Sequence, residues 1–404
     1  MEKSLQRTNI TFTILSLLAI SHMFNDTLQS IIPAIYPLLK NSLALTFTQV
    51  GLINLVYQMS SSIFQPIIGL ITDKKPQPYS LPVGMTLSMI GIISLAFASD
   101  FFYTLIAVFF IGLGSSIFHP EASRLAYLAS GGKYGLAQSI FQVGGNFGSS
   151  IGPLIALWII TPYGQKNISW LAIIALIAIG VMLIINKWYK VNIYRLKSRN
   201  TVIKKNSDNT ETNSNNIPKS KVIIAIVILL ILVFSKYVYM TSLTSYYTFY
   251  LINKFNISIH DAQLYLFAFL FAIAAGTIIG GPVGDRIGRK YVIWFSILGT
   301  APFALMMPYA NLMWTCILSI IIGLILSSAF SAILIYAQEL VPGKVGLIGG
   351  LFFGLAFGIA GIASAILGRI ADHTGIQYVY SICSFLPLLG LAASFLPNTK
   401  KRKS

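Results

Sequence analysis

The sequence predicts an all-α membrane protein of twelve transmembrane helices, arranged as two six-helix bundles related by pseudo-two-fold symmetry. Composition is the first reason. Of 404 residues, 55% are hydrophobic and only 10% are charged, where soluble domains carry roughly 25% charge. The second reason is that apolar runs near the length that crosses a bilayer, about 20 residues, follow one another along the chain. The third is an internal echo: landmarks of the first half return about 211 residues later, the sign of an internally duplicated transporter.

Read in order, the spans fall at 12–39, 48–72, 79–98, 101–127, 134–161 and 168–189, then at 221–252, 260–284, 290–310, 312–338, 344–370 and 375–396. The first is too long for the core of a cleavable signal, contains polar residues and is followed by further spans, so it is read as a helix. Bundles at 1–189 and 221–404 are joined by 190–220. That segment holds Arg195, Lys197, Arg199, Lys204 and Lys205 and an Asn-rich run from Asn206 to Asn216. It lacks the apolar content to pack, which predicts a loosely ordered linker.

Basic residues set the orientation. With a cytoplasmic N-terminus, the inner segments hold Lys3, Arg7, Lys74, Lys75, Lys133, the linker, Arg286, Arg289, Lys290, Lys344 and the tail from Lys400 to Lys403. The outer loops hold only Lys40, Lys166, Lys254 and Arg369. Both termini are therefore expected in the cytoplasm. The net charge of +17 is explained in the same way, and the arrangement of the basic residues argues against a nucleic-acid partner. The basic residues lie in short clusters between apolar runs, with no long basic face carrying interleaved aromatics. Cys316 and Cys383 sit in apolar runs without ligand spacing, so no metal centre and no cofactor is expected.

The repeat is carried by three pairs in order. Gly69-Leu-Ile-Thr-Asp73-Lys74 returns as Gly281-Pro-Val-Gly-Asp285-Arg286. Gly132-Lys-Tyr-Gly135 returns as Gly343-Lys-Val-Gly346. Gly144, Gly145, Gly148 and Gly152 align with Gly354, Gly358 and Gly361. The stretch from Gly281 through Asp285, Arg286, Gly288, Arg289 and Lys290 resembles the loop signature of the major facilitator superfamily. The run from Gly144 to Pro153 resembles the fifth-span motif of antiporters in that superfamily. Ser21-His-Met-Phe-Asn-Asp26, Phe118-His-Pro-Glu-Ala-Ser-Arg124, the stretch Ala137 to Asn146, Phe234-Ser-Lys-Tyr237 and Tyr336-Ala-Gln-Glu-Leu340 are similar to a branch that exports a phosphonate drug across the bacterial inner membrane. The resemblance implies a multi-pass protein of that membrane, gated by Asp73, Lys74, Gly281, Asp285, Arg286, Gly288 and Arg289. The first-half gate is degraded: Lys75-Pro-Gln-Pro stands where a Gly-Arg-Lys portion is expected, leaving Asp73 and Lys74 fewer basic partners.

Ionisable groups inside a membrane cost about 2.5–3.5 kcal/mol each on insertion scales, so each asks for a reason. His22 and Asp26, four residues apart on span one, share a helix face and are candidates for proton coupling. Either they load and release protons or they fix the bundle by hydrogen bonds. His119 and Glu121 flank Pro120, which bends span four; Glu121 either exchanges between Arg124 and a proton or simply neutralises Arg124. Lys236 lies deep in span seven amid Ser235, Tyr237, Tyr239, Thr241, Ser242, Ser245, Tyr246 and Tyr247. Its ammonium needs an anion, either a carboxylate of the first half, with Asp26 a candidate, or the cargo. Gln138, Gln142 and Asn146 form one polar stripe on span five, a cavity lining or a helix-joining seam. The cargo-binding set read from the sequence is Lys236, Arg124, Gln142, Asn146, Tyr239 and Tyr246.

These residues predict a secondary transporter, a monomer in the lipid bilayer, exchanging inward protons for an anionic or amphiphilic drug by alternating access. A proton-coupled importer of a small organic anion or sugar would use the same fold. No Gly-x-x-x-x-Gly-Lys-Ser/Thr phosphate loop occurs, and no nucleophile paired with a base, so ATP drive and enzyme chemistry are not expected.

Overall fold

Residues 11–75, 77–131, 134–208, 219–340 and 345–396 are described by the computed structural model, with some side chains near helix ends outside that description. They form twelve helical rods, in agreement with the twelve spans. In chain order the rods are α1 (Phe12–Ala34), α2 (Phe47–Lys74), α3 (Ser80–Ala96), α4 (Phe101–Ala129), α5 (Tyr134–Ile155), α6 (Leu171–Asp208), α7 (Lys219–Ser245), α8 (Ile259–Ile287), α9 (Arg289–Leu298), α10 (Leu312–Ser327), α11 (Val345–Thr374) and α12 (Ile376–Cys383). Short pieces lengthen several rods. Tyr36–Ser42 follows α1, the π-helix Ala156–Ile160 follows α5, Tyr247–Phe255 follows α7, Ala301–Met306 follows α9, Ala329–Leu340 follows α10 and Leu386–Phe395 follows α12.

Among the described residues, nine helical stretches are long and apolar enough to cross a bilayer by composition alone. The rods that miss that standard are α1, α2 and α3. For α3 the cause is length, 17 residues. For α1 and α2 it is polarity: Ser21, His22, Asn25, Thr27, Gln29 and Ser30 are buried on one, and Asn54, Ser60, Ser61, Ser62 and Gln65 on the other. The least apolar helices are those with polar groups turned inward, as expected where a pathway rather than lipid faces them. Lipid-facing surfaces carry exposed Ile, Leu, Val and Phe, and exposed Trp158, Tyr163, Trp170, Tyr309 and Trp314 lie near rod ends, where amphipathic rings suit the membrane–water boundary.

One boundary differs from the sequence reading. The sixth rod does not stop at 189 but stays helical to Asp208, through the basic part of the linker. Lys, Arg and their neighbours continue a helix once one is nucleated in the membrane, because straight-chain residues lose little rotamer freedom there. Residues 209–218 lie outside the described residues, and 219–220 already belong to α7.

Across the two halves, α2 packs on α11 and α5 on α8; within the first half, α1 packs along α5 and α4 against α3 and α2. Glycine makes the close approaches. A Cβ at Gly144 or Gly148 would strike the backbone of Ala19 or Met23 on α1. A Cβ at Gly51 or Gly368 would strike the facing backbone between α2 and α11. That contact lies at the end of the bundle away from Phe12, called the far end below. Along the same pair toward the near end, Gly354 and Gly358 stand looser against Ser62.

Candidate functional site

The seam between the halves brings three titratable side chains together. The i, i+4 spacing on α1 stacks His22 over Asp26, with His22 Nε2 3.2 Å from Asp26 Oδ2. From α4, His119 places its Nε2 3.4 Å from Asp26 Oδ1. Its ring also lies 6.0 Å from that of Phe357 on α11, so the cluster borders the second half. Gly145 on α5 keeps the space open, because a Cβ there would meet both His22 and Asp26 Oδ2. The side chains of Asp26 and His119 retain 17% and 12% exposure, against 3% for His22.

The hydrogen bonds behind the rings determine what the gap must contain. His22 Nδ1 lies 2.8 Å from the carbonyl oxygen of Phe141, and His119 Nδ1 3.0 Å from that of Ser115. A carbonyl only accepts, so each Nδ1 carries the hydrogen. In a neutral imidazole the Nε2 is then a lone pair. Two such lone pairs facing a carboxylate repel, unless two protons or another cation lie among the three groups. The carboxylate also accepts from Asn25 Nδ2 at 3.0 Å, and the His22 ring stacks on Phe141 at 4.0 Å between centroids.

A polar chain leads away from this cluster. Ser115 Oγ is 3.1 Å from His119 Nδ1 and donates to Gln29 Oε1 at 3.3 Å. Gln29 Oε1 also accepts from Tyr57 on α2 at 2.5 Å. Gln29, Tyr57 and Ser115 were not singled out from the sequence. The available signal was helical spacing, since Gln29 lies three residues beyond Asp26 on the same face.

The other predicted residues separate. Glu121 is buried; Arg124 donates to it at 2.7 and 3.1 Å and also to the Tyr189 hydroxyl. This guanidinium is engaged inside its own half. Glu121→Gln is expected to lower stability by roughly 3–5 kcal/mol, the usual cost of leaving one charge of a buried pair. The double change Glu121→Gln with Arg124→Met should recover most of it, as read by thermal unfolding in detergent. Asn146 Nδ2 donates to Thr277 on α8 at 2.8 Å, joining the halves, while Gln142 is half-buried on the same helix. Lys236 is 3% exposed, with its Nζ 5.6 Å from the Tyr237 ring. Asp26, offered as its counter-ion, instead faces the two histidines. Tyr246 donates to the Ser364 carbonyl at 2.6 Å, and Tyr239 is buried within the aromatic core of the second half.

Of the gate residues, Asp73, Lys74, Gly281, Asp285 and Arg286 continue α2 and α8 as helix, but their side chains lie outside the described residues. Gly288 has φ +97°, a left-handed turn that a side chain would strain, and Arg289 opens α9. Next to them Lys290 Nζ donates to the carbonyls of Ser394 and Leu396 at 2.9 and 2.6 Å.

Asp372, also missed from sequence, ties the halves at the far end. Its carboxylate accepts from Phe47 N at 2.8 Å, Thr48 N at 2.7 Å and Thr48 Oγ1 at 2.5 Å. Its partners are more than 300 residues earlier in the chain, so no local pattern marks it.

This architecture has known relatives. The sequence model of the Major Facilitator Superfamily matches residues 18–253 and 225–404. The chain belongs to the major facilitator superfamily. Among its superfamily relatives, the fosmidomycin resistance protein of Escherichia coli strain K12 is 56% identical over 402 residues, covering 99% of this chain and 96% of that protein. The MFS-type transporter YfnC of Bacillus subtilis strain 168 is 45% identical, covering 99% and 97%. Two solved structures share the superfamily fold at 12% identity. A bacterial homologue of the lysosomal transporter Spinster, in an inward-facing and occupied conformation, has TM-score 0.72 and covers 96% of each chain. The nucleoside transporter NupG has TM-score 0.70, covering 96% of this chain and 99% of its own. Membership makes this a multi-pass membrane transporter of a small molecule and not an enzyme.

Proposed function

We propose that this transporter exports fosmidomycin-like phosphonates, or other anionic and amphiphilic drugs, in exchange for protons. It does so as a monomer of the bacterial inner membrane with both termini in the cytoplasm. The observation that carries the reading is the arrangement of His22, Asp26 and His119, whose two lone pairs face one carboxylate across a gap that closes only around positive charge. Protons entering from the outer side fill the gap, and their release inside resets it. Rocking of the halves about the α2–α11 and α5–α8 seams exposes the cluster to each side in turn. Each proton moved inward releases about 2.3 kcal/mol per 100 mV and about 1.4 kcal/mol per pH unit, enough for severalfold to hundredfold export.

Lys236 supplies the anion preference. The 56%-identical relative is named for fosmidomycin resistance, and a phosphonate offers the oxygens an ammonium binds well. The test is drug susceptibility in bacteria stripped of efflux pumps. Expression of the chain is expected to raise the inhibitory fosmidomycin concentration severalfold or more. Lys236→Gln should remove most of that protection while sparing any protection against uncharged amphiphiles. Unchanged susceptibility on expression of the native chain would refute phosphonate export.

A further inference from the structure

We propose that His22, Asp26 and His119 also bind one transition-metal dication of the zinc class. Sequence spacing gives no hint of this, since the nearer pair looks like an ordinary i, i+4 contact and the third group comes from another helix. The inference stands on geometry and does not need the proton reading.

The donor atoms already have the spacing of a coordination sphere. One ligand atom from each residue lies within 4.8 Å of the others, and the two His–Asp edges are 3.2 and 3.4 Å. Tetrahedral ligands bonded at about 2.0–2.1 Å stand about 3.3 Å apart. The carboxylate sits between the imidazoles with a different oxygen toward each, so both the edge between the imidazoles and one His–carboxylate edge shorten when a single oxygen binds the ion.

The second shell is of the kind metal-binding histidines have. Both Nδ1 atoms face backbone carbonyls, of Phe141 and Ser115, which fixes the tautomer that turns an Nε2 lone pair into the gap and raises its basicity. Asn25 Nδ2 backs the carboxylate. Gly145 leaves the space that any side chain would fill between His22 and Asp26. Two imidazoles with one carboxylate select Zn²⁺, Co²⁺, Ni²⁺ or Cu²⁺ over Mg²⁺ and Ca²⁺, which prefer all-oxygen shells. Partial exposure of Asp26 and His119 gives the ion a way in and leaves room for a water as fourth ligand. The chain has four histidines. One of the other two, His260, pairs only with Asp261 at an exposed position and serves as an internal control.

The probe is Co²⁺, whose d–d absorption reports inner-sphere coordination. Full-length protein, freed of any affinity tag and stripped with chelator, is titrated with Co²⁺ in nanodiscs and then with Zn²⁺. The expected result is visible bands that saturate at one equivalent and are displaced by Zn²⁺. Binding should weaken at least thirtyfold in His119→Gln and in Gly145→Ala, which fills the gap while keeping every ligand, and should be unchanged in His260→Ala. Size-exclusion profiles identify any variant that fails to fold, and the two gap variants act through different helices. Absence of the bands in native protein would overturn the proposal. So would bands that survive in both folded gap variants or vanish in His260→Ala. The titration uses no ion gradient, so a chain that binds Co²⁺ but exports without protons would support this site and sink the coupling mechanism alone.

Discussion

Asp26→Asn is expected to abolish uphill export while leaving downhill drug movement in place. The substitution keeps the shape of the side chain and its place on α1, so α1 still packs along α5 through Gly144 and Gly148. An amide can donate to the Nε2 lone pair of one histidine, so the cluster keeps one of its bonds without the negative charge. The electrostatic demand for cations in the gap is thereby removed, and with it the reason for the gap to fill on one side and empty on the other. In everted vesicles with an imposed proton gradient, the native chain should concentrate drug severalfold to hundredfold, given about 1.4 kcal/mol per pH unit and about 2.3 kcal/mol per 100 mV. The variant should equilibrate at a ratio near one, with an initial downhill rate within a few-fold of native. Retained accumulation would place coupling elsewhere in the chain.

The architecture was almost fully legible in the sequence, because lipid imposes a simple rule: a rod of about 20 apolar residues or nothing. The twelve rods, the glycine faces and the repeat follow from it. The sixth helix was ended too early because hydropathy reports where the membrane stops, whereas a helix of Lys and Arg continues into water. At the site, His22 and Asp26 were readable because they share a helix face four residues apart. His119 could be noticed as an ionisable group beside Pro120, but its approach to Asp26 depends on how α4 packs against α1, which no local pattern encodes. The carbonyls that orient the two rings are backbone atoms of Ser115 and Phe141 and leave no trace in residue identity. Arg124 shows the converse: the i, i+3 spacing already offered Glu121 as its partner, but only packing reveals the Tyr189 hydroxyl that also holds it.

Asp372→Ala is expected to open the far end of the bundle, proposed here as the outer face. The first turn of α2 begins with amides that have no partner inside the helix. Thr46 and Gln49 satisfy each other in a capping box, which leaves the amides of Phe47 and Thr48, and both are held by Asp372 from the other half. The carboxylate also meets the positive end of the α2 dipole. These bonds exist only while the halves are closed at this end, since Asp372 travels with α11 and Phe47 with α2. Losing a cap costs about 0.5–2 kcal/mol. Because Asp372 is exposed, solvent takes over part of the loss, and a three- to tenfold shift toward the outward-open state is expected. Asp372→Asn should fall between, keeping an acceptor but losing the charge. Spin labels at Asn41 and Thr374, in a background with Cys316 and Cys383 replaced, report the separation directly by pulsed dipolar spectroscopy. A larger population of long distances in Asp372→Ala is the expected result. An unchanged distribution would mean that the glycine contacts at Gly51 and Gly368 close the outer face without help from the carboxylate.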